Sequence, residues 1–272
     1  MKPATVNNVM GLNELQPRIE PIWKDYDIFD AHTHIEGGIV MPYDLANEFS
    51  AENLIAYMKE YGIKHVAVSA LTKDFVGDNN KVAEAIRKYP GQLLGLAHID
   101  PSRGDSALVE MDRCLKLGLR GLKLHPHYDG YMAFDLKMLS PVLEKAAHHR
   151  LPILVHTGTP PNTTPIHIGY LAQHFRDVNF ICGHMGWADS SLEAPEAGEM
   201  AENVYMDITA ASAHTYIERA IQRLGPERFV WGTDQPYLTF IGEFFKLLSL
   251  RIPDEDKRRI FWDNPKRIYK MT

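Results

Sequence analysis

Two histidines two residues apart, His32 and His34, stand at the end of an apolar run over residues 26–31. In a β-strand, residues i and i+2 point to the same side, so both imidazoles leave that strand end together. A pair held in this way is spaced for one divalent ion, and histidine is the commonest metal ligand. Three protein ligands and one open position describe a catalytic zinc site. One pair is not yet a site. The missing ligands have to come from the ends of other strands.

The chain supplies such strands in series. Residues 1–25, with Pro3, Pro17 and Pro21, read as an N-terminal surface arm. After the first run, apolar runs recur at 64–70, 92–98, 119–124, 152–155, 178–182, 203–208 and 228–231. Between them, apolar stripes at helical spacing predict helices over 51–61, 79–89, 105–117, 141–149, 166–175 and 214–224. Helices over 240–250 and 254–262 close the chain, and Pro141 is expected in the first turn of its helix. Strands alternating with helices are the signature of parallel βαβ units. Eight of them predict an α/β fold, a (β/α)8 TIM barrel forming one domain over residues 26–272. The strand-to-helix joints, such as 157–165 and 184–199, are long, and in this architecture the active site is built from that face.

In a closed barrel the strand ends meet at one mouth. The first run brings His32 and His34, the fourth Lys123 and His125, the fifth His156, the sixth His184 and the eighth Asp234. Lys123 and His125 share parity, so both face inward. His125, followed by Pro126, suits a strand cap as well as a site residue, and His98 at the end of the third run reads as structural. Tyr128, Tyr131 and Trp187 suit a pocket wall or plain packing, and Cys182 reads as a small apolar group.

Composition narrows the classes. With 272 residues and 45% hydrophobic content, the chain can bury one large core. A net charge of −6 offers no basic field to nucleic acid or an anionic membrane. No apolar run reaches the roughly 18 residues that a membrane span needs, and Met1–Asn13 lacks the apolar core of a secretory signal. Two cysteines, Cys114 and Cys182, suit a reducing cytoplasm rather than a disulfide framework. The expected partner is a small-molecule substrate, and a homodimer is compatible with the composition.

The segments Asp30-Ala31-His32-Thr33-His34, Leu154-Val155-His156-Thr157-Gly158, Cys182-Gly183-His184-Met185-Gly186 and Trp231-Gly232-Thr233-Asp234-Gln235-Pro236 resemble the amidohydrolase superfamily. The branch they resemble is amidohydrolase-2, which contains aminocarboxymuconate-semialdehyde decarboxylase. The closing Asp263-Asn264-Pro265-Lys266-Arg267 is similar to that branch's tail, so the likeness runs from Tyr26 to the C-terminus. It implies that His32, His34, His156 and Asp234 bind one divalent metal, with zinc expected and manganese admissible. Asp234 would also carry a proton, and His184 would polarise a substrate oxygen or hold the attacking water. Gly121-Leu122-Lys123-Leu124-His125 is similar to the lysine segment of urease, where a carbamylated lysine bridges two metals. The matched branch is usually mononuclear, which assigns Lys123 and His125 to contacts with substrate or with the metal ligands.

The expected activity is that of a metal-dependent hydrolase, whose metal-activated water attacks an amide, ester or lactone carbonyl. The alternative is a non-oxidative decarboxylase, a C–C lyase of an unsaturated or aromatic acid; a non-catalytic, metal-stabilised binding protein is the third reading. Decarboxylation calls for cations facing the substrate carboxylate. The loops 35–50, 72–78, 125–137, 157–165 and 185–199 hold only Lys73 and Lys137, which favours hydrolysis.

Overall fold

The computed structural model describes residues 21–35, 49–70, 75–188 and 190–271. Eight parallel strands follow one another in sequence order: β1 Phe29–Ile35, β2 His65–Ala70, β3 Leu93–His98, β4 Gly121–Leu124, β5 Ile153–His156, β6 Phe180–Gly183, β7 Val204–Asp207 and β8 Phe229–Val230. The last strand returns to the first. Ala31 N–H donates to Trp231 O at 3.0 Å, Asp234 N–H to His32 O at 2.7 Å and His34 N–H to Gln235 O at 2.7 Å. With a parallel bridge between Thr33 and Gln235, these bonds close the barrel and set Asp234 beside the two histidines of β1.

The helices around it are α1 Ala51–Tyr61, α2 Phe75–Lys88, α3 Asp105–Lys116, α4 Pro126–Asp129, α5 Leu136–His148, α6 Pro165–His174, α7 Ala194–Met200, α8 His214–Leu224, α9 Phe240–Ser249, α10 Asp254–Arg258 and α11 Asn264–Ile268. Local chemistry sets their ends. Ser50 caps α1 with a reciprocal Ser50–Asn53 box, and Gly62 ends it at φ 68°, a left-handed position that favours glycine. Asp135 caps α5 by accepting from Met138 N–H at 3.1 Å, so that helix starts at Leu136 and Pro141 lies inside it rather than in its first turn. As the sixth residue of the helix, Pro141 forfeits one backbone bond, to Lys137 O, just past the first turn. The closing helix expected over 254–262 ends at Arg258, passes through a π turn over Arg259–Asp263 and resumes as α11.

Side chains pointing into the barrel, among them Phe29, Ala31, Ala67, Leu96, Leu154, Ile181 and Val230, pack as one apolar layer set. Tyr269 seals its floor, stacked on Phe29 and donating its hydroxyl to Ala31 O at 2.8 Å. Truncating one such residue, as in Leu154→Ala, costs about 2–5 kcal/mol in a close-packed interior. A larger apolar shell joins the outer sheet face to the helices. Of the expected arm, residues 1–20 lie outside the described residues; Ile22–Asp25 forms a short turn whose Trp23 packs edge-on against Tyr61, Phe240 and Phe244. The loop residues Gly37, Gly38, Pro42 and Lys73 also lie outside them. With the floor filled, the cavity among the described residues opens at the strands' C-terminal ends.

Candidate active site

Each site side chain is placed by a strand end and fixed by a neighbour. His32 Nδ1 lies 2.7 Å from Asp207 Oδ2 at the end of β7, and both are buried. A carboxylate only accepts, so Nδ1 carries the proton and Nε2 keeps its lone pair. That Nε2 lies 2.7 Å from Lys123 Nζ and 3.4 Å from Asp234 Oδ1. His34 Nε2 is 3.0 Å from the same Asp234 oxygen, and its Nδ1 is 3.0 Å from Ser69 Oγ on β2. His184 Nδ1 donates to Thr209 O at 3.2 Å, which leaves its Nε2 as an acceptor. His125 is the reverse case: Tyr128 N–H donates to its Nδ1 at 3.2 Å, so Nε2 carries its proton. His125 thus caps α4 and also stacks on His156, with ring centroids 4.0 Å apart. His156 Nε2 is buried without a hydrogen-bond partner among the described residues.

The backbone is strained where these groups meet. His184, Ala210 and Asp234 sit at φ 66°, 59° and 53°, a region costing on the order of 1–3 kcal/mol for a non-glycine residue. Gly232 permits the closest approach: a Cβ there would stand 2.8 Å from His32 Cβ and 2.8 Å from Thr209 Oγ1. A cavity of about 320 Å³ opens over the cluster, in the range of small-molecule sites. The catalytic candidates and Lys123 line one part of it, Trp187, Ala210, Ala211, Tyr237 and Leu238 form a largely apolar wall, and Glu243 and Lys246 line it from α9.

Two donor groups could hold an ion, each with atoms within 4.8 Å of one another: His32, His34 and Asp234, and His32, His184 and Asp207. The second contains the His32–Asp207 hydrogen bond, so it orients a ligand rather than competing for one. His156 belongs to neither group, although its unpartnered buried nitrogen faces the same cavity and suits a further ligand. His98 is buried, pairs with Asp129 at 3.1 Å and lies beside Lys123 in the β3–β4 register, but it does not line the cavity.

Burial, reinforced by the Lys123 charge, pushes His32, His34, His125, His156 and His184 below the ordinary histidine range. Burial alone would raise the Asp234 carboxyl, but the surrounding imidazoles hold it well below the usual range. Lys123 is lowered to about 8 by burial. A histidine whose folded pKa is depressed takes up its proton on unfolding, so its stability contribution is present above the unfolded value, near 6.5, and is lost as pH falls below it. Three buried acids, Asp30 (raised to about 7), Asp129 and Glu243, act oppositely but are outnumbered by the five histidines. The thermal midpoint of metal-free protein is therefore expected to fall between pH 7 and pH 5. A midpoint that rises over that interval would contradict neutral, buried imidazoles.

Sequence reasoning overlooked Asp207. It holds His32 Nδ1, receives His184 N–H at 3.3 Å and Thr209 N–H at 3.0 Å, and accepts from the Thr209 hydroxyl. A signal was available, because Asp207 is an ionisable residue set into the end of the seventh apolar run, one position before its last residue. Glu243 and Lys246 carried no such signal: they lie on a helix face.

Residues 29–271 match the family model described as Amidohydrolase. The γ-resorcylate decarboxylase of Polaromonas sp. strain JS666 is 21% identical, over 84% of this chain and 86% of that protein. The fold is shared with dihydroxybenzoic acid decarboxylase from Polaromonas sp. JS666, solved with bound manganese and the inhibitor 2-nitroresorcinol (TM-score 0.69, 17% identity, 90% of this chain and 97% of that one). It is shared equally with a probable 2-pyrone-4,6-dicarboxylic acid hydrolase from Acinetobacter baumannii, solved with citric acid bound (TM-score 0.69, 15% identity, 90% and 100% covered).

Proposed function

The chain belongs to the amidohydrolase family, and from that premise we propose that it is a metal-dependent decarboxylase of an aromatic or unsaturated carboxylic acid. The observation that carries this reading is a buried cation, Lys123, lining the cavity with its Nζ against His32. The case for hydrolysis rested on loops poor in cations; Lys123 enters from inside β4 and Lys246 from α9, where loop composition says nothing. Likeness to a curated decarboxylase adds weight in the same direction.

In this reading His32, His34, His156 and Asp234 hold one divalent ion, zinc or manganese. A metal there supplies positive charge that polarises substrate oxygens. With His32 Nε2 engaged as a ligand, the Lys123 ammonium is free to pair with the substrate carboxylate. Asp234, ionised in the free site, takes up a proton from solvent and delivers it to the carbon bearing the carboxylate. The C–C bond breaks, its electron pair returns to the ring or double bond, and CO2 leaves. His125 Nε2–H donates to a substrate oxygen and His184 Nε2 accepts from one. The apolar wall keeps water from the reacting carbon. Among the described residues no helix is long and apolar enough to cross a membrane. We place the enzyme in the cytoplasm, acting on a small molecule as a homodimer, a setting that the two buried free cysteines suit.

Asp207→Asn is expected to weaken metal affinity about 10–100-fold, because the carboxylate that fixes the His32 tautomer is lost. Metal titration of the purified variant checks this, and unchanged affinity would remove Asp207 from the site. The activity itself is tested by screening metal-loaded protein against hydroxylated benzoates and unsaturated acids beside esters, amides and lactones. Release of CO2 from an acid supports the proposal; turnover confined to esters, amides or lactones returns the chain to the hydrolases.

A further inference from the structure

On α9, Glu243 and Lys246 form a buried ion pair that the reaction above does not use, with side chains 10% and 9% exposed. Two buried charges are costly to desolvate, and the pair lines the cavity rather than an outer face. Glu243 Oε2 accepts from Lys246 and from Ala210 N–H at 3.2 Å. Its other oxygen, Oε1, accepts no hydrogen bond from the described residues. Lys246 gives one N–H to Glu243 and one to Ile208 O at 2.8 Å, leaving one of its three. The cavity wall therefore offers one free acceptor and one free donor, side by side and close to neutral in sum.

We propose that Glu243 and Lys246 form a distal subsite for a hydroxyl group of the substrate and discriminate against a second carboxylate there. A hydroxyl donates to Glu243 and accepts from Lys246, satisfying both. A carboxylate has no proton to give, and it meets Glu243 as a like charge while Lys246 is already paired. No arginine lines the cavity among the described residues, so nothing else there would clamp a second anion. The substrate class that follows is a monocarboxylic hydroxy acid rather than a dicarboxylate. This rests on the decarboxylase reading for the orientation of the first carboxylate, toward Lys123, but not for the subsite's chemistry.

The test is calorimetric binding to metal-loaded protein of benzoate, 3-hydroxybenzoate and isophthalate, which differ only in the second substituent. Wild-type protein is expected to bind 3-hydroxybenzoate about tenfold tighter than isophthalate, the scale of one hydrogen bond to a charged group. Glu243→Gln should shrink that ratio to within about threefold, since it frees the Lys246 charge for the second carboxylate. Lys246→Met should weaken 3-hydroxybenzoate and leave benzoate unchanged, whereas a merely structural role would weaken both. Isophthalate binding as tightly as 3-hydroxybenzoate to wild-type protein overturns the proposal, as does a Glu243→Gln ratio like that of wild type, or no binding by any of the three. Because binding needs no turnover, a protein that sorts these ligands as expected but releases no CO2 keeps the subsite and loses the decarboxylase reading.

Discussion

Replacing Asp234 by asparagine is expected to lower turnover by about 10²–10⁴-fold, the contribution typical of a positioned acid–base group. Geometry places the carboxylate for that task. Backbone bonds to β1 pin the residue, with Asp234 N–H donating to His32 O at 2.7 Å, and its Oδ1 stands 3.0 Å from His34 Nε2. Its left-handed backbone at φ 53° turns the side chain off the β8 end into the mouth. Asparagine keeps an oxygen that can ligate weakly but removes the proton carrier. Metal content should then fall only modestly, because three histidines remain. Turnover and metal occupancy measured on one preparation separate the two roles. If metal stays bound and turnover survives within a few-fold, the base has to be sought at His184, whose Nε2 is left as an acceptor.

Removing the divalent ion with a chelator is expected to abolish turnover and leave the barrel folded, and His32→Ala should do the same. The apolar layers around Leu154, Ile181 and Val230 lie below the cluster, and Tyr269 seals them independently of any ion. Circular dichroism should therefore hardly change, while activity returns on adding zinc or manganese to chelated protein but not to the variant. Collapse of the dichroism signal on chelation would make the metal a structural one.

Much of this arrangement is legible in the chain itself. His32, His34, Lys123, His125, His156, His184 and Asp234 each close or follow an apolar run, and a closed barrel brings such ends together whatever the loops do. Strand alternation made Lys123 and His125 inward-facing, as they are. Less legible were groups whose role depends on tertiary packing. Glu243 and Lys246 sit on a helix stripe three residues apart, a spacing that reads as an ordinary solvated pair until the barrel buries it. The preference for hydrolysis failed to gain support for the same reason, because charges were counted along loops while the cations entered from a strand interior and a helix. His125 shows that two readings of one residue need not exclude each other, since its Nδ1 serves the cap and its Nε2 remains for the cavity. Pro141 misplaced a helix start because Asp135, six residues earlier, is the residue that caps the helix.

The central claim is that this strand-end cluster breaks a carbon–carbon bond with the aid of a bound divalent ion. Its most direct measurement is carbon-13 NMR of metal-loaded protein incubated with hydroxylated benzoates and unsaturated acids labelled at the carboxyl carbon. For at least one of these acids the label should move into CO2 and bicarbonate, and it should stay in place once the ion is chelated. A label that remains in the carboxyl group of every acid screened, while the same preparation opens a lactone or cleaves an ester, would contradict the account.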